Sequence, residues 1–299
     1  MITTAEAGDA VAELLFGLCG SAGSIYTDAA TRRTTVAVFC ERPPADFAAK
    51  RALLLEGLHH IKACGLDIGS TRVRVQKLSR QNWAESWKRH FKPIEIGQAL
   101  LIKPSWSKRL PRAGQAIVVL DPGLSFGTGQ HATTEFCLRE LVRHRERRQR
   151  DRHTGRCAVL DVGTGSGILA IAAAKLGFRP VRAFDFDPEA VRVARDNARA
   201  NGVESHIEFT RADLTKLPRQ LRGSCDVVCA NLISTLLITQ CRTITGLVNP
   251  GGWLALAGIL KSEFHGVQTA YESLGLRLVR SKVEKEWRSG LWQRNGAAT

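Results

Sequence analysis

The stretch that most constrains the fold is VLDVGTGSGILAIAAAK, residues 159–175, in which an apolar run, a glycine-rich turn and a helix-forming segment follow one another. The run 159–162 is typical of a strand buried on both faces. Glycines at alternate positions give the turn backbone freedom, and we expect Ser166 to cap a helix that begins near Ile168. Such a turn directs unpaired backbone N–H groups to the sheet edge. The sequence therefore predicts a nucleotide-like ligand there.

The chain after residue 157 alternates short apolar runs with helical patterns. This alternation is typical of a doubly wound parallel sheet, so we predict an α/β fold with a Rossmann-like domain. The expected strands are 157–162, 181–185, 206–209, 226–230 and 252–257, followed by a terminal pair at 276–283 and 286–293.

The carboxyl ends of these strands carry Gly163, Asp185, Asp213 and Asn231, and ligands of doubly wound sheets bind at that edge. Asp185 follows the glycine turn by about twenty residues, where a carboxylate accepts hydrogen bonds from ribose hydroxyls. The competing role for Asp185 is a helix N-cap, but Asp187 already fills that role.

Two further acids have structural roles as alternatives to ligand binding. Asp213 is either a ligand contact or a solvated turn residue. Asp161 is expected to bond the N–H groups of the glycine turn, which supports the site more than it contacts a ligand.

The glycine spacing narrows the class of ligand. The turn reads G-x-G-x-G with Ile168 next, so the G-x-G-x-x-G pattern of dinucleotide-binding dehydrogenases is absent, as is the Gly-Lys-Ser/Thr of a P-loop. The observed spacing suits a ligand whose amino-acid end approaches the backbone closely. It resembles the turn of class I S-adenosylmethionine-dependent methyltransferases.

The first 78 residues predict a separate α+β unit of the ferredoxin-like type. Helical spacing covers 9–19 and 46–63, and β-branched or alternating residues cover 24–26, 34–39 and 71–77. Residues 79–111 are expected to form a linker with a short helix at 82–90. The third domain, 112–299, is the Rossmann-like one, and its helix from Ala132 follows an irregular loop.

The formal charge of +15 contains many arginines between Arg139 and Arg156. Such an excess favours association with nucleic acid or a ribonucleoprotein through phosphate attraction. The alternative for the arginine-rich stretch is a solvated helix end with an exposed loop.

The eight cysteines are scattered without a Cys-x-x-Cys pair, which indicates free thiols in a reducing compartment and predicts no metal site. The longest apolar runs fall short of the roughly 18 residues of a membrane helix. The first nine residues carry no basic flank, which argues against a signal peptide. We therefore expect a cytoplasmic protein that does not bind membranes.

Four stretches together resemble the ribosomal protein L11 methyltransferase family, the PrmA type. They are 82–106 with its W-x-x-x-W-K-x-x-F-K-P, the loop DPGLSFGTGQHATT at 121–134, the glycine turn 159–175, and Ala230-Asn-Leu-Ile. The arginine-rich stretch looks like an enlargement of the family pattern.

The resemblance implies a ferredoxin-like recognition domain, a linker and a catalytic domain. It also implies methyl transfer from S-adenosylmethionine to amino groups of ribosomal protein L11, on lysine side chains, the N-terminus or both. Carried over by motif, the cofactor contacts are Thr134, Gly163, Asp185 and Asn231, with Gly165 and Asp213 beside them.

No residue stands out as an obligatory catalytic base. The amide of Asn231 is a candidate for orienting the amine, and His131 is a candidate base whose alternative role is bracing its loop. Two other functions stay open: methylation of another protein lysine or of RNA, and a non-catalytic, cofactor-binding module that associates with the ribosome.

Overall fold

The computed structural model describes residues 1–20, 23–27, 33–39, 46–70, 73–75, 91–121, 131–152, 155–217 and 224–296. The chain divides into two compact units, Met1–Trp83 and Ala84–Thr299. Within the described ranges, none of the helices combines the length and the apolar character needed to cross a bilayer.

The first unit is a small antiparallel sheet with two helices. Its elements are β1 (Ile2–Thr3), α1 (Gly8–Cys19), β2 (Gly23–Thr27), β3 (Thr34–Val38) and α2 (Phe47–Ala63). The sheet order is β1-β3-β2 with both pairs antiparallel. Val11, Val36 and Leu58 lie in its small core, which joins the helices to the sheet.

This order matches the first five elements of the predicted ferredoxin-like pattern, β-α-β-β-α-β. The structure does not show the predicted strand 71–77 in the residues that it describes. Residues 73–75 are not in a strand, and the rest of that segment lies outside the described residues.

The second unit is built on a seven-stranded sheet of order β12-β13-β11-β10-β7-β8-β9. Its strands are β7 (Val159–Val162), β8 (Val181–Asp185), β9 (Ile207–Arg211), β10 (Cys225–Asn231), β11 (Val248–Ala257), β12 (Leu276–Glu284) and β13 (Trp287–Arg294). Strands β7 to β11 pair in parallel, and β13 joins β11 and β12 antiparallel. The doubly wound sheet and its terminal strand pair are thus confirmed.

Helices cover both faces of this sheet. They are α3 (Ala132–Arg150), α4 (Ile168–Lys175), α5 (Pro188–Ala200), α6 (Ser234–Thr239), α7 (Cys241–Leu247) and α8 (Phe264–Glu272). Along β10, Val227 and Cys229 enter one core layer and Val228 and Ala230 the other. Both faces of the strand are therefore buried, which explains its continuous apolar run.

The sequence pattern predicts one helix through Leu247, but the structure has two, α6 and α7, which meet at Gln240. The segment is rich in threonine and isoleucine, and β-branched residues propagate a helix poorly.

A second, three-stranded sheet belongs to the same unit. Its strands are β4 (Ile94–Ile96), β5 (Leu100–Lys103) and β6 (Ala116–Val119). Leu100 and Leu101 are fully buried, so part of the predicted linker is packed structure. The boundaries at residues 78 and 111 stay predictions, and the predicted helix 82–90 lies outside the described residues.

Candidate functional site

A cleft of about 410 Å³ opens at the carboxyl ends of β7, β8 and β10. The chain runs outward through β7, β8 and β9 and then returns to β10 on the other side of β7. This is a topological switch point, where doubly wound sheets bind ligands. The cleft brings together all six residues expected to contact a cofactor: Thr134, Gly163, Gly165, Asp185, Asp213 and Asn231.

The glycine turn owes its shape to the missing side chains. A Cβ on Gly163 would lie 2.5 Å from Cδ2 of Leu232, and one on Gly167 would lie 3.0 Å from Cβ of Ala194 on α5. Gly167 has a φ of 82° and is itself the N-cap residue of α4. The expectation that Ser166 caps this helix is therefore wrong. A left-handed residue admits the close packing of α4 on α5, and only glycine takes that conformation without strain.

The N–H groups of the turn bond within the protein. Those of Gly163 and Thr164 both donate to the carbonyl oxygen of Phe184 at 3.0 Å, and that of Gly167 donates to Thr164. The Gly165 N–H donates to Oδ2 of Asp185 at 3.0 Å. The expectation of unpaired donors is wrong at these four positions, because the end of β8 accepts from three of them and Thr164 accepts from the fourth. The turn offers close approach rather than an anion-binding cradle.

Asp185 closes the turn from the neighbouring strand. Its Oδ1 accepts the N–H of Asp187 at 3.1 Å while Oδ2 holds Gly165, and the residue is buried. Asp187 caps α5 by accepting from the N–H of Glu189 at 2.9 Å, as predicted. The carboxylate of Asp185 has further lone pairs and lines the cleft.

Asp161 lies beneath the turn. Its Oδ2 accepts from the Thr164 hydroxyl at 2.7 Å and from the N–H of Ala170 at 3.2 Å. Burial, the largest cause, raises the pKa of Asp161 to about 6. We expected bonds to the N–H groups of the turn. The partners are instead a turn hydroxyl and the first turn of α4, since the N–H groups of the turn donate to the end of β8 or, at Gly167, to Thr164.

Asn231 ends β10 on the opposite wall of the cleft. Its Nδ2 donates to Oγ1 of Thr134 at 3.3 Å, which fixes which way the amide faces. Its Oδ1 is buried and has no hydrogen-bond partner among the described residues. A buried polar atom without a partner costs about 1–3 kcal/mol. Among the described residues, Asn231 therefore keeps an unsatisfied acceptor beside the cleft.

His131 and Asp213 have different surroundings. Nδ1 of His131 lies 2.7 Å from Oγ1 of Thr133, and its ring meets that of Trp287 edge-on at 5.0 Å. These contacts fit the bracing role. Asp213 accepts from the N–H and hydroxyl of Thr215, and these bonds lower its pKa. It is both a turn residue and part of the cleft lining.

The apolar part of the cleft was not among the residues predicted from the sequence. Phe186 directly follows Asp185, is 74% exposed and lines the cleft, as do Leu214 and Leu232. An aromatic residue directly after a strand-end acid was the available signal.

The loop 122–130, which carries much of the motif 121–134, lies outside the described residues. Its first residue, Asp121, accepts from both the N–H and the hydroxyl of Ser105. In the described part of the chain, no group of three His, Cys, Asp or Glu side chains could hold a metal ion. The buried cysteines in those ranges, Cys137, Cys157, Cys225 and Cys229, are free thiols.

Comparisons with known proteins agree with this geometry. The family model described as "Ribosomal protein L11 methyltransferase (PrmA)" matches residues 2–295. The chain is 36% identical over 251 residues to the ribosomal protein L11 methyltransferase of Caldanaerobacter subterraneus subsp. tengcongensis, covering 84% of this chain and 77% of that one. It is 44% identical over 215 residues to that of Citrifermentans bemidjiense, covering 71% and 67%.

A solved structure is also similar. The crystal structure of the ribosomal protein L11 methylase from Lactobacillus delbrueckii subsp. bulgaricus matches with a TM-score of 0.59 and 28% identity. The match covers 69% of this chain and all of that one.

Proposed function

Because this chain belongs to the ribosomal protein L11 methyltransferase family, we infer that it transfers methyl groups from S-adenosylmethionine to ribosomal protein L11. One observation carries the cofactor assignment. The glycine turn bonds its own N–H groups at Gly163, Thr164, Gly165 and Gly167 internally, so it suits a nucleoside without phosphate groups. S-adenosylmethionine is such a nucleoside.

We propose that Asp185 holds the ribose of the cofactor. A carboxylate already fixed by two backbone N–H groups presents its remaining lone pairs in a defined direction, and charge-assisted bonds to a diol are strong. Gly163 and Gly165 allow the amino-acid end to approach the backbone. Thr134, Asn231 and Asp213 complete the proposed contacts.

We propose that the chain contributes alignment and a dry site to the reaction. S-adenosylmethionine, when bound, supplies an electrophilic methyl group. The attacking amine must be neutral, and a site walled by Phe186, Leu214 and Leu232 lowers the pKa of an entering lysine. Oδ1 of Asn231 is unpartnered and can accept an N–H of that amine, while Thr134 keeps the amide from rotating.

We further propose that the methyl acceptors are amino groups of lysine side chains, the N-terminus or both. The domain 1–78 recognises the protein substrate, since it exposes large apolar side chains that suit a protein surface: Phe16, Ile25, Tyr26, Phe39, Leu53 and Leu55. A ribosomal protein as substrate places the enzyme in the cytoplasm. The charge of +15 supports contact with ribosomal RNA.

Transfer of isotope-labelled methyl groups tests the function directly. The purified protein is incubated with labelled S-adenosylmethionine and either ribosomal protein L11, other ribosomal proteins or ribosomal RNA. Label in ribosomal protein L11 supports the inference. Label only in another protein or in RNA supports a different methyltransferase, and label in none of them, with cofactor still bound, supports a non-catalytic module.

A further inference from the structure

A second pocket lies at the other end of the main sheet. It has a volume of about 390 Å³ and is lined by the end of α3 and by residues that precede β7 and β8, such as Cys157 and Arg179. Both strands begin beside this pocket and end in the cofactor cleft. The two sites therefore lie at opposite ends of the same strands of the main sheet.

Four guanidinium groups dominate the lining of this pocket: Arg145, Arg148, Arg156 and Arg179. The lining includes no carboxylate. Burial raises the pKa of Cys157 to about 11, so its thiol adds no negative charge. The arginine-rich stretch that the sequence singles out supplies three of the four, and the fourth comes from the start of β8.

Two of the pocket arginines donate to backbone carbonyl groups. Arg179 donates from Nη1 to the carbonyl oxygens of Ala174 and Phe178, at 3.1 and 2.6 Å, and Arg148 donates to the carbonyl oxygen of Gly155. Carbonyl groups orient a guanidinium without neutralising it. None of the ion pairs between described residues involves Arg145, Arg156 or Arg179.

Helix ends do not account for this charge. The carboxyl-terminal ends of α3 and α4 lie at the pocket, and each contributes roughly half a negative charge. Arg145, Arg156 and Arg179 alone bring three positive charges, which exceed the roughly single negative charge of two such ends. By contrast, two exposed arginines of α5 are matched by carboxylates: Arg192 pairs with Glu189 and Asp196, and Arg199 pairs with Asp196 and Glu204.

We propose that this pocket binds phosphate groups of an RNA backbone. It would thereby anchor the enzyme on RNA at the amino-terminal ends of β7 and β8, opposite the cofactor cleft. The proposal rests on the proposed function in one respect, because a ribosomal protein as substrate brings RNA within reach. Guanidinium groups match phosphate oxygens in a bidentate way, and the volume falls within the range of ligand pockets. The cleft stays open to the protein substrate while RNA is held.

RNA binding is measured by fluorescence anisotropy of a fluorescein-labelled RNA hairpin, without cofactor or protein substrate. The test variant is the double substitution Arg145→Gln/Arg156→Gln. The matched control, Arg192→Gln/Arg199→Gln, removes the same formal charge from ion-paired positions of the same unit. The test variant should bind about tenfold more weakly, with a slope of log K against log salt reduced by about one per lost phosphate contact. The control should bind nearly as the wild type does.

Three outcomes overturn the proposal: no RNA binding by the wild type, equal losses in the two variants, or a binding loss that accompanies a lower thermal midpoint in the test variant alone. Adding inorganic phosphate at constant ionic strength separates free phosphate from RNA as the ligand. Displacement of the hairpin at low phosphate concentration points to a small-anion site and also overturns it.

Methyl transfer to free ribosomal protein L11 is the second readout. The test variant should keep the wild-type kcat and KM on the free protein and show a raised KM, with unchanged kcat, on RNA-bound protein. If the wild type fails to methylate either form yet binds RNA through the pocket, the proposed function fails while this proposal stands.

Discussion

At the scale of single residues, Asp185 both holds the glycine turn in place and is the proposed partner of the cofactor ribose. Both of its oxygens already accept backbone N–H groups, so its carboxylate is fixed before a cofactor arrives. Substituting Asp185→Ala should weaken S-adenosylmethionine binding about 10- to 100-fold, because hydrogen bonds to a charged group contribute about 1.5–3 kcal/mol each.

Isothermal titration calorimetry measures this affinity. Asp187→Ala is the matched control, since it removes a nearby carboxylate that only caps α5. That variant should lose about 1 kcal/mol of stability and keep its affinity. An unchanged dissociation constant in Asp185→Ala would contradict the assignment of Asp185 to the cofactor site.

Asn231 combines a fixed amide with an unpartnered oxygen. If that oxygen orients the amine, Asn231→Ala should lower kcat about 10²- to 10³-fold, the usual loss when an oriented polar group is removed from a reacting centre. The cofactor dissociation constant should rise less than in Asp185→Ala, because a hydrogen bond to a neutral amide contributes less than one to a carboxylate. Steady-state kinetics with saturating cofactor tests this, with Thr134→Ser as a control that keeps the hydroxyl. A weakened cofactor affinity with normal kcat would make Asn231 a cofactor contact only.

The buried carboxyl of Asp161 predicts a pH dependence of stability. Its folded-state pKa of about 6 lies above the ordinary value of 3.8, so the folded state binds the proton more tightly than the unfolded state. The stabilising contribution is complete below pH 3.8 and is lost as the pH rises through 6.

In Asp161→Asn this loss is absent, because the amide does not ionise and its oxygen can still accept from Thr164 and Ala170. The free energy of unfolding of the variant, relative to wild type, should therefore rise by about 2 kcal/mol between pH 4 and pH 7. Urea denaturation at both pH values measures it. A constant difference would show that Asp161 is ionised throughout this range.

At the scale of elements, α4 depends on its close approach to α5. Gly167 has a positive φ, and a Cβ there would lie 3.1 Å from Cα of Ala194. Gly167→Ala should cost about 2–4 kcal/mol, from backbone strain and forced separation of the helices. Gly177→Ala is the control, since Gly177 also has a positive φ but open space beside it, and it should lose only about 1–2 kcal/mol. Equal losses by urea denaturation would remove helix packing as the cause.

The elements themselves could be predicted because their signals are local. Buried runs such as Val159–Val162 and the glycine spacing follow from neighbouring residues. The pairing of the turn's N–H groups with Phe184 could not be predicted, since it depends on how closely two strands approach. The bond between Asn231 and Thr134 joins residues 97 positions apart, and nothing in either segment specifies the distance. The predicted Ser166 cap of α4 was wrong for a related reason. The N-cap is Gly167, which the close packing against Ala194 requires.

At the scale of the whole molecule, the cofactor should stabilise one region selectively. Binding to the folded state alone adds about 2.7 kcal/mol at a hundredfold excess over the dissociation constant. Hydrogen exchange should therefore slow at the cleft segments around Asp161, Asp185 and Asn231. Peptides from the first unit, around α1 and β3, are the internal control and should exchange as before. Slowing confined to the first unit would place the cofactor elsewhere.

The net charge of the whole molecule could be predicted from the sequence, but the positions of the arginines in the fold could not. The sum of +15 and the arginine-rich stretch are plain in the sequence. Which arginines pair with acids depends on the fold. Arg143 and Arg280 meet the buried Glu140, whereas Arg145 and Arg179, from segments 34 positions apart, line one pocket.

The internally bonded glycine turn has a consequence for turnover. Its shape is set by the protein's own hydrogen bonds, so the empty and occupied turn should have the same backbone, and binding should cost little ordering entropy. Neither the turn nor Asp185 has a reason to touch the transferred methyl group. The demethylated cofactor should therefore bind about as well as the methylated one, and the pace of repeated methylation depends on how quickly the spent nucleoside is cleared.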